Sequence, residues 1–430
     1  MDKRRQTYIV IIIAMAIWGL TDVRRRASLE HTHRTDITVF TTAGAAFFDG
    51  RDPYSVKSPR GWQYNYPPLF AIAFSPLSKL ETTTAAIIWF GINVAMLCGC
   101  YFEARKLVAM LGADRAPAGP LPAWLWIAPG VAMLFPTLNC LQRGQLGVLL
   151  IYLLILGLRV TVQKPNAIGA MFGGLILALA AVIKLFPILP ACFLLLQLGT
   201  LLMMRLGPKA ALARAAGAGV GLAAGLVLFL FVVPAAAIGW NANLGHLDRW
   251  MDQVVLNSDL ARDTGFDIFS KRNQSLKNAA YLLTTGGKPS IQGGGEAFEK
   301  AVLTARVTLF LLLVGSWLAG RWKHSRLGLV ACFGLACQLT LMISPLAWAH
   351  YYTIGLLALL FVPMWFWTGG QVRTAKVIAI VPAVLSLLHY LAMPLTGPLG
   401  VLGLGTAIWF TTVCVLGLPV FGRAAGSSPP

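Results

Sequence analysis

An all-α polytopic membrane protein, a bundle of about twelve spans with two long outward-facing loops, is what the sequence predicts. Three observations predict it. Hydrophobic residues make up 57% of the chain and charged residues only 12%, against roughly a quarter charged in soluble domains. Mean hydropathy is +0.70. The lysines and arginines behind the formal net charge of +19 are dispersed as short clusters between apolar runs, a pattern that orients helices and meets anionic headgroups and does not call for nucleic acid.

A hydrocarbon core about 30 Å thick needs roughly 20 helical residues. Runs that meet or approach this lie at roughly 7–23, 83–102, 121–137, 146–160, 166–183, 186–204, 215–239, 301–320, 327–343, 351–367, 377–394 and 400–421. MDKRR before the first run looks like the start of a signal peptide, but Ala14-Met15-Ala16 falls inside the apolar run, so the segment reads as an uncleaved anchor. The runs form one integral membrane domain over 1–430. No repeat or heptad array divides it, and AALARAAGAGVGLAAG suits close helix packing. Six of the seven cysteines lie within spans and only Cys140 near the outer face, so no structural disulfide is expected.

Short-loop charge sets the orientation. With a cytoplasmic N-terminus, the inner loops carry Arg105, Lys106 and Arg115, then Arg159 and Lys164, then Arg205, Lys209 and Arg214, then Arg321, Lys323 and Arg326, then Arg373 and Lys376. The short outer connections hold only Arg143 and Lys184. The expectation is a multi-pass protein of the plasma (inner) membrane with both termini in the cytoplasm and loops 24–82 and 240–300 outside.

The first outer loop holds Asp36, an amphipathic helix at 36–49, a GRDPY turn, and PPLFAIAFSPLSKL, which is too short and too proline-rich to span and reads as an interfacial or re-entrant helix. The second opens with Trp240, Asn241, His246, Asp248 and Trp250, and has FSKRNQSLKNAAYLL at its centre. That centre offers donors for a phosphate or sugar; equally it is a solvated helix start with basic residues at the lipid surface.

There is no GxxxxGK[ST] loop and no HExxH helix, and DGRD at 49–52 is a poor DxD. A nucleotide-sugar site with a divalent ion is therefore not expected, and neither a metal nor a cofactor is.

The ordered segments TDITVF (Thr35 to Phe40), GRDPY (Gly50 to Tyr54), YNYPP (Tyr64 to Pro68), RGQ (Arg143 to Gln145), VIKLFP (Val182 to Pro187), NQS (Asn273 to Ser275) and SPLAWAHYY (Ser344 to Tyr352) resemble those of glycosyltransferase family 87. These are polyprenyl-phosphate-mannose-dependent transferases of the GT-C superfamily. The resemblance implies a GT-C-like fold with its site at the outer membrane face, an inverting hexosyltransferase, a polyprenyl-phosphate sugar as donor with mannose favoured, and a lipid-linked or cell-envelope glycan as acceptor. It places Asp36 at the first-loop catalytic acid and His350 at a site histidine. Phe40 in place of a common Tyr, RGQ in place of NGQ, and Ala349-His350-Tyr351 in place of paired histidines depart from the family pattern.

Each candidate has a structural alternative. Asp36, one of only 16 acids, is a general base for the acceptor hydroxyl or the N-cap of the helix beginning at Ile37. Asp49 and Asp52 read as turn residues. Lys184 is a clamp on the donor phosphate, joined by Arg143 and Gln145, or a snorkelling lysine. His350 contacts donor phosphate or sugar, or anchors the interface. Tyr64, Tyr66, Asn273 and Gln274 are candidate acceptor contacts, with Trp62 as a stacking ring; an aromatic belt explains the rings as well. His31, His33, His246 and His389 have no comparable context. A non-catalytic lipid-glycan flippase or transporter is the alternative class; it would spread polar residues along a path through the bilayer, and the inner halves of these spans have few.

Overall fold

The structure, a computed structural model, describes residues 17–28, 34–112, 121–163, 166–203, 208–256, 270, 272–285 and 295–418. The predicted span at 7–23 lies mostly outside them, as do His31, His33, Lys271 and most of GGKPSIQGGGE.

The described chain is mostly helical. In order the helices are α1 (17–27), α2 (Ile37–Phe48), α3 (Pro68–Ser78), α4 (Thr82–Gly112), α5 (Trp124–Arg143), α6 (Gly147–Gln163), α7 (Ala167–Ile183), α8 (Ile188–Met203), α9 (Pro208–Val227), α10 (Val233–Ile238), α11 (Trp240–Trp250), α12 (Leu276–Thr284), α13 (Gly295–Ala319), α14 (Arg326–Ile343), α15 (Leu356–Thr368), α16 (Val372–Leu391), α17 (Met393–Thr396) and α18 (Val401–Leu416). Each predicted span from 83 onward coincides with a helix. Seven continuous helices are long and apolar enough to cross a membrane, α9 and α10 joining through a π-turn into one of them. The helices α6, α7, α8 and α18 have 16 or 17 residues, about 24–26 Å, a little short of a full hydrocarbon core. The count therefore departs from twelve equal spans, because apolar runs broken by Gly, Pro and basic residues end before a full crossing.

Two compact units form. The first gathers described residues of Met1–Gly99, Thr137–Leu149 and Val227–Phe266. At its centre, α2 and α3 pack as a helical hairpin. Phe40 meets Phe70 and Phe74, each at 5.1 Å between ring centroids, and Tyr66 at 5.3 Å. Truncating such a buried ring to Ala typically costs about 3–5 kcal/mol. Gly44 makes the approach possible: a Cβ there would lie 2.9 Å from Ser75 N and 3.0 Å from Ala71 O. Pro68 occupies the first turn of α3, where its missing N–H is no loss. Asp52 accepts from Tyr54 N at 3.0 Å and pairs with Arg249 of α11, while His246 packs on Phe47 and Tyr54. The DPY turn thus ties the two loop segments together, the structural role read for Asp52; His246 shares in it.

The second unit gathers described residues of Cys100–Pro136, Leu150–Leu226 and Asp267–Pro430. Its core is α14, buried from Leu327 to Met342, as expected of a helix apolar on every side. The small-residue run in α9 packs as its composition suggests: a Cβ on Gly217 or Gly221 would run into the carbonyl oxygens of Ala167 and Met171 on α7. Glu103 of α4 pairs with Lys106 and with Arg159 of α6.

Candidate active site

The first unit builds its site around the end of α5. Gly144, with φ +69°, follows the helix as its left-handed terminator. Gln145 N donates to Cys140 O at 2.9 Å and Gly144 N to Leu141 O at 3.3 Å, the paired bonds of a Schellman motif. Trp89 Nε1 holds the turn from α4 by donating to Gly144 O at 2.9 Å, and its ring meets Phe74 at 4.8 Å. Arg143 and Gln145 are thereby presented on either side of one rigid glycine.

Asp36 meets that turn. It occupies the N-cap position of α2, but its side chain makes no capping bond; Thr35 Oγ1 accepts from Ile37 N at 3.4 Å instead. Asp36 N donates to Arg143 O at 2.8 Å. Asp36 Oδ2 accepts from Arg143 Nε at 3.2 Å and from Gln145 Nε2. On the other side of the carboxylate, Arg60 Nη1 lies 3.7 Å from Oδ1. Oδ1 itself is buried and accepts no hydrogen bond among the described residues. The residue is only 3% exposed. One oxygen is anchored by two donors, and the other is not.

The capping alternative for Asp36 does not describe this side chain. Charge-assisted bonds to a guanidinium and an amide outcompete a neutral backbone N–H. Arg60, which sequence reading passed over, is held by Trp62: its guanidinium stacks 3.7 Å from the indole centroid, and that of Arg143 lies 5.7 Å away. The adjacent basic and aromatic residues in one loop were the signal that could have found it. Trp62 is thus a platform for two arginines.

Tyr64 and Tyr66 lie in the loop core. Tyr64 is 2% exposed and its hydroxyl donates to Pro67 O at 2.8 Å; Tyr54 donates to Tyr66 O at 2.9 Å. Burial pushes the Tyr54 and Tyr64 phenols well above their ordinary range, so both stay neutral donors.

In the second unit, Lys184 ends α7 in an extended conformation. Its Nζ lies 3.6 Å from the centroid of Tyr351 and 5.0 Å from that of Phe186, and those two rings meet edge to face at 5.1 Å. His350 is buried with its ring edge-on to Tyr351 at 4.5 Å. VIKLFP and SPLAWAHYY therefore converge on a half-buried cation with aromatic faces, an arrangement worth about 0.5–2 kcal/mol. Tyr351 was the partner that sequence reading did not assign.

NQS serves that same segment. Asn273 Nδ2 donates to Pro345 O at 3.0 Å and its Oδ1 accepts from Ala347 N at 2.8 Å. Gln274 N donates to Ala347 O at 2.9 Å, and Gln274 Nε2 to Gly397 O at 3.2 Å. Tyr352 donates to Gln274 O at 2.7 Å. Both residues are fully buried. They clamp the loop that carries His350.

The sequence model of glycosyltransferase family 87 matches residues 64–345, well over half of the chain. The chain belongs to glycosyltransferase family 87. Two relatives, both named polyprenol-phosphate-mannose-dependent alpha-(1-2)-phosphatidylinositol mannoside mannosyltransferase, are similar to it. That of Mycobacterium tuberculosis is 27% identical over 368 residues, 80% of this chain and 74% of its own. That of Mycolicibacterium smegmatis is 24% identical over 349 residues, 74% of this chain and 67% of its own. Among solved structures, ArnT from Cupriavidus metallidurans bound to undecaprenyl phosphate is similar at a TM-score of 0.45 and 15% identity, over 97% of this chain and 78% of ArnT.

This family 87 member is therefore a multi-pass membrane glycosyltransferase, which decides against the transporter reading. The matched stretch contains YNYPP, RGQ, VIKLFP and NQS. Asp36 and His350 fall on either side of it, so their roles rest on geometry.

Proposed function

We propose that the enzyme transfers mannose from a polyprenyl-phosphate donor to a lipid-linked or cell-envelope glycan at the outer membrane face, inverting the anomeric carbon, with Asp36 as general base. The donor and sugar are those in the names of both relatives. The observation that carries the catalytic assignment is the asymmetry of the Asp36 carboxylate, one oxygen anchored by Arg143 and Gln145 and the other without a hydrogen-bond donor among the described residues.

A base of this kind works from hydrogen-bond distance. The acceptor hydroxyl gives its proton to Oδ1 as its oxygen bonds to the anomeric carbon. The bond from that carbon to the phosphate oxygen breaks, and the lipid phosphate leaves as an anion. Arg143 and Arg60 keep the charge of the carboxylate balanced until the proton arrives. Lys184, displayed on Tyr351, is assigned the departing phosphate, where negative charge develops; His350 is assigned the phosphate or sugar. The displacement needs no metal or cofactor, because cationic side chains take the role of a divalent ion.

The test is transfer from radiolabelled polyprenyl-phosphate mannose by the purified protein in detergent, with phosphatidylinositol mannosides and other envelope glycolipids as acceptors. A labelled, inverted glycoside formed by wild type and not by Asp36→Asn is the expected result. Transfer only from a nucleotide sugar overturns the donor assignment, and retention at the anomeric carbon overturns the direct displacement.

A further inference from the structure

Within the second unit, the His350 segment precedes α15, and Trp365 lies near the other end of that helix, about 20 Å away by helical rise. Around Trp365 is a recess of about 270 Å³ lined by Arg321, His324, Trp365, Phe366, Gly369 and Gln371. Two chain reversals form it, one between α13 and α14 and one between α15 and α16. It therefore sits where spans end.

Two of the lining residues carry a buried donor with no acceptor among the described residues, Arg321 Nε and Trp365 Nε1. Orphaned buried donors are uncommon in folded proteins and ask for an explanation. The neighbouring indole shows the contrast. Trp322 stacks on Trp365 at 4.0 Å, yet its Nε1 donates to Ser316 Oγ at 3.0 Å, which in turn donates to Cys414 O at 2.8 Å. The Arg321 guanidinium lies 5.7 Å from the Trp365 ring, so the two orphaned donors belong to adjacent side chains.

Among the described residues of this unit no acid is left over to supply the acceptor charge. From Lys300 to the C-terminal residue the sequence has no Asp or Glu. The described acids of this unit, Glu103, Glu296 and Glu299, already pair with Arg159, Lys300 and Lys277. Lys323, Arg326 and Arg373 add positive charge around the same chain reversals. A ligand matching these groups is an anion with several acceptor oxygens, large enough to use the recess and able to lie against the Trp365 and Phe366 rings. Phosphate fits, since guanidinium and indole N–H groups can each take one of its oxygens.

We propose that this recess is a phosphate-binding site, separate from the donor site assigned above, which holds an anionic phospholipid headgroup or free phosphate. Its occupant accepts hydrogen bonds from Arg321 and Trp365 and so links the α13–α14 and α15–α16 reversals.

The test uses the purified full-length protein in mild detergent, followed by thermal unfolding and tryptophan fluorescence. It is titrated separately with dioleoyl phosphatidylglycerol, with dioleoylglycerol, with sodium phosphate, and with sodium chloride at matched ionic strength. A saturable response to phosphatidylglycerol or to phosphate, absent with dioleoylglycerol and chloride, is expected, and the titrant that saturates identifies the source. Arg321→Met should weaken the midpoint about 10- to 100-fold and Trp365→Phe, which keeps the stacking face, about 2- to 10-fold. Lys300→Met, near the other end of α13, should leave it unchanged. Should Arg321→Met not fold, Trp365→Phe decides alone. No saturable response to either phosphate compound, or a wild-type midpoint in the recess variants that fold, overturns the proposal.

Discussion

Asp36 and Arg143 are joined twice: the amide of Asp36 donates to the carbonyl of Arg143 at 2.8 Å, and Arg143 Nε donates to the Asp36 carboxylate at 3.2 Å. The start of α2 and the end of α5 are thus locked as one piece, and the carboxylate is aimed by its partner's backbone as well as its charge. Preorganisation of this kind is what a base needs if it is to meet a hydroxyl without first rearranging.

Asp36→Asn tests the base directly. It should lower transfer by about 10²- to 10⁴-fold. Because the side chain does not cap α2, the variant loses no cap bond, but it removes the partner charge of Arg143 and Arg60. Stability should fall by about 1–3 kcal/mol, read as a lower Tm in the same detergent. Asp36→Glu keeps the charge and separates the two effects. Near-normal transfer by a folded Asp36→Asn protein refutes the assignment and passes the search to Asp49, Asp52 and Glu30.

The spans were legible because apolar runs and basic punctuation report on the membrane directly. Helix α14 is the clearest case, apolar all round and buried all round. Asp36 was legible as an acid in the largely basic stretch that follows the first apolar run. Its partners were not, since Arg143 and Gln145 stand more than a hundred residues away and no local pattern encodes that pairing. For the same reason the cap alternative looked strong: sequence shows the nearby N–H groups and hides the distant guanidinium. Tyr64 and Asn273 illustrate the reverse problem, because a tyrosine or amide in a long loop reads alike whether it touches substrate or closes the loop core.

Gly144 should be intolerant of a side chain. At φ +69° an L-residue costs about 1–2 kcal/mol, and a Cβ would also crowd Trp89 Cδ1 at 3.3 Å and Thr35 Oγ1 at 3.4 Å. In Gly144→Ala, transfer should therefore drop more steeply than Tm, because the shifted turn carries Arg143 and Gln145, the two residues that orient Asp36. Rates at saturating donor, compared with a melting curve, check this. A variant that loses Tm but keeps its rate would show that the turn is not needed for aim.

Lys184→Met keeps the apolar stem and removes the cation. Donor affinity should weaken about 10-fold or more, the loss expected for a charged hydrogen bond to phosphate. Tyr351→Leu removes the ring beneath the ammonium and should weaken donor binding by about 2- to 30-fold, while Tyr351→Phe should retain most of it. Equal donor affinity in Lys184→Met and wild type would leave Lys184 as a snorkelling residue.

His246 gives the loop packing a pH dependence. Burial holds its imidazole below the ordinary value of 6.5; Asp52 opposes that shift and Arg249 reinforces it. The folded protein thus prefers the neutral ring, and the unfolded chain binds the proton more readily. The stability contribution is complete above pH 6.5 and is lost as pH falls from there toward the lower folded value. Tm should decline across that window in wild type more than in His246→Phe, and indistinguishable pH profiles would remove His246 from the account.

The orientation can be tested with single cysteines. Exposed Cys98 and Cys192 are first replaced by Ser, leaving the buried thiols as a low background. If the short-loop charges set the topology, Lys57→Cys and Lys288→Cys should react with a membrane-impermeant maleimide on intact cells, and Lys209→Cys only after permeabilisation. Lys57 is exposed in the loop that follows α2, so failure to label it cannot be put down to burial in the protein. The reverse pattern would move Asp36 and its arginines to the cytoplasmic face. That would remove the argument for an outward-facing lipid-phosphate donor, while leaving family membership and the Asp36–Arg143 geometry as they stand.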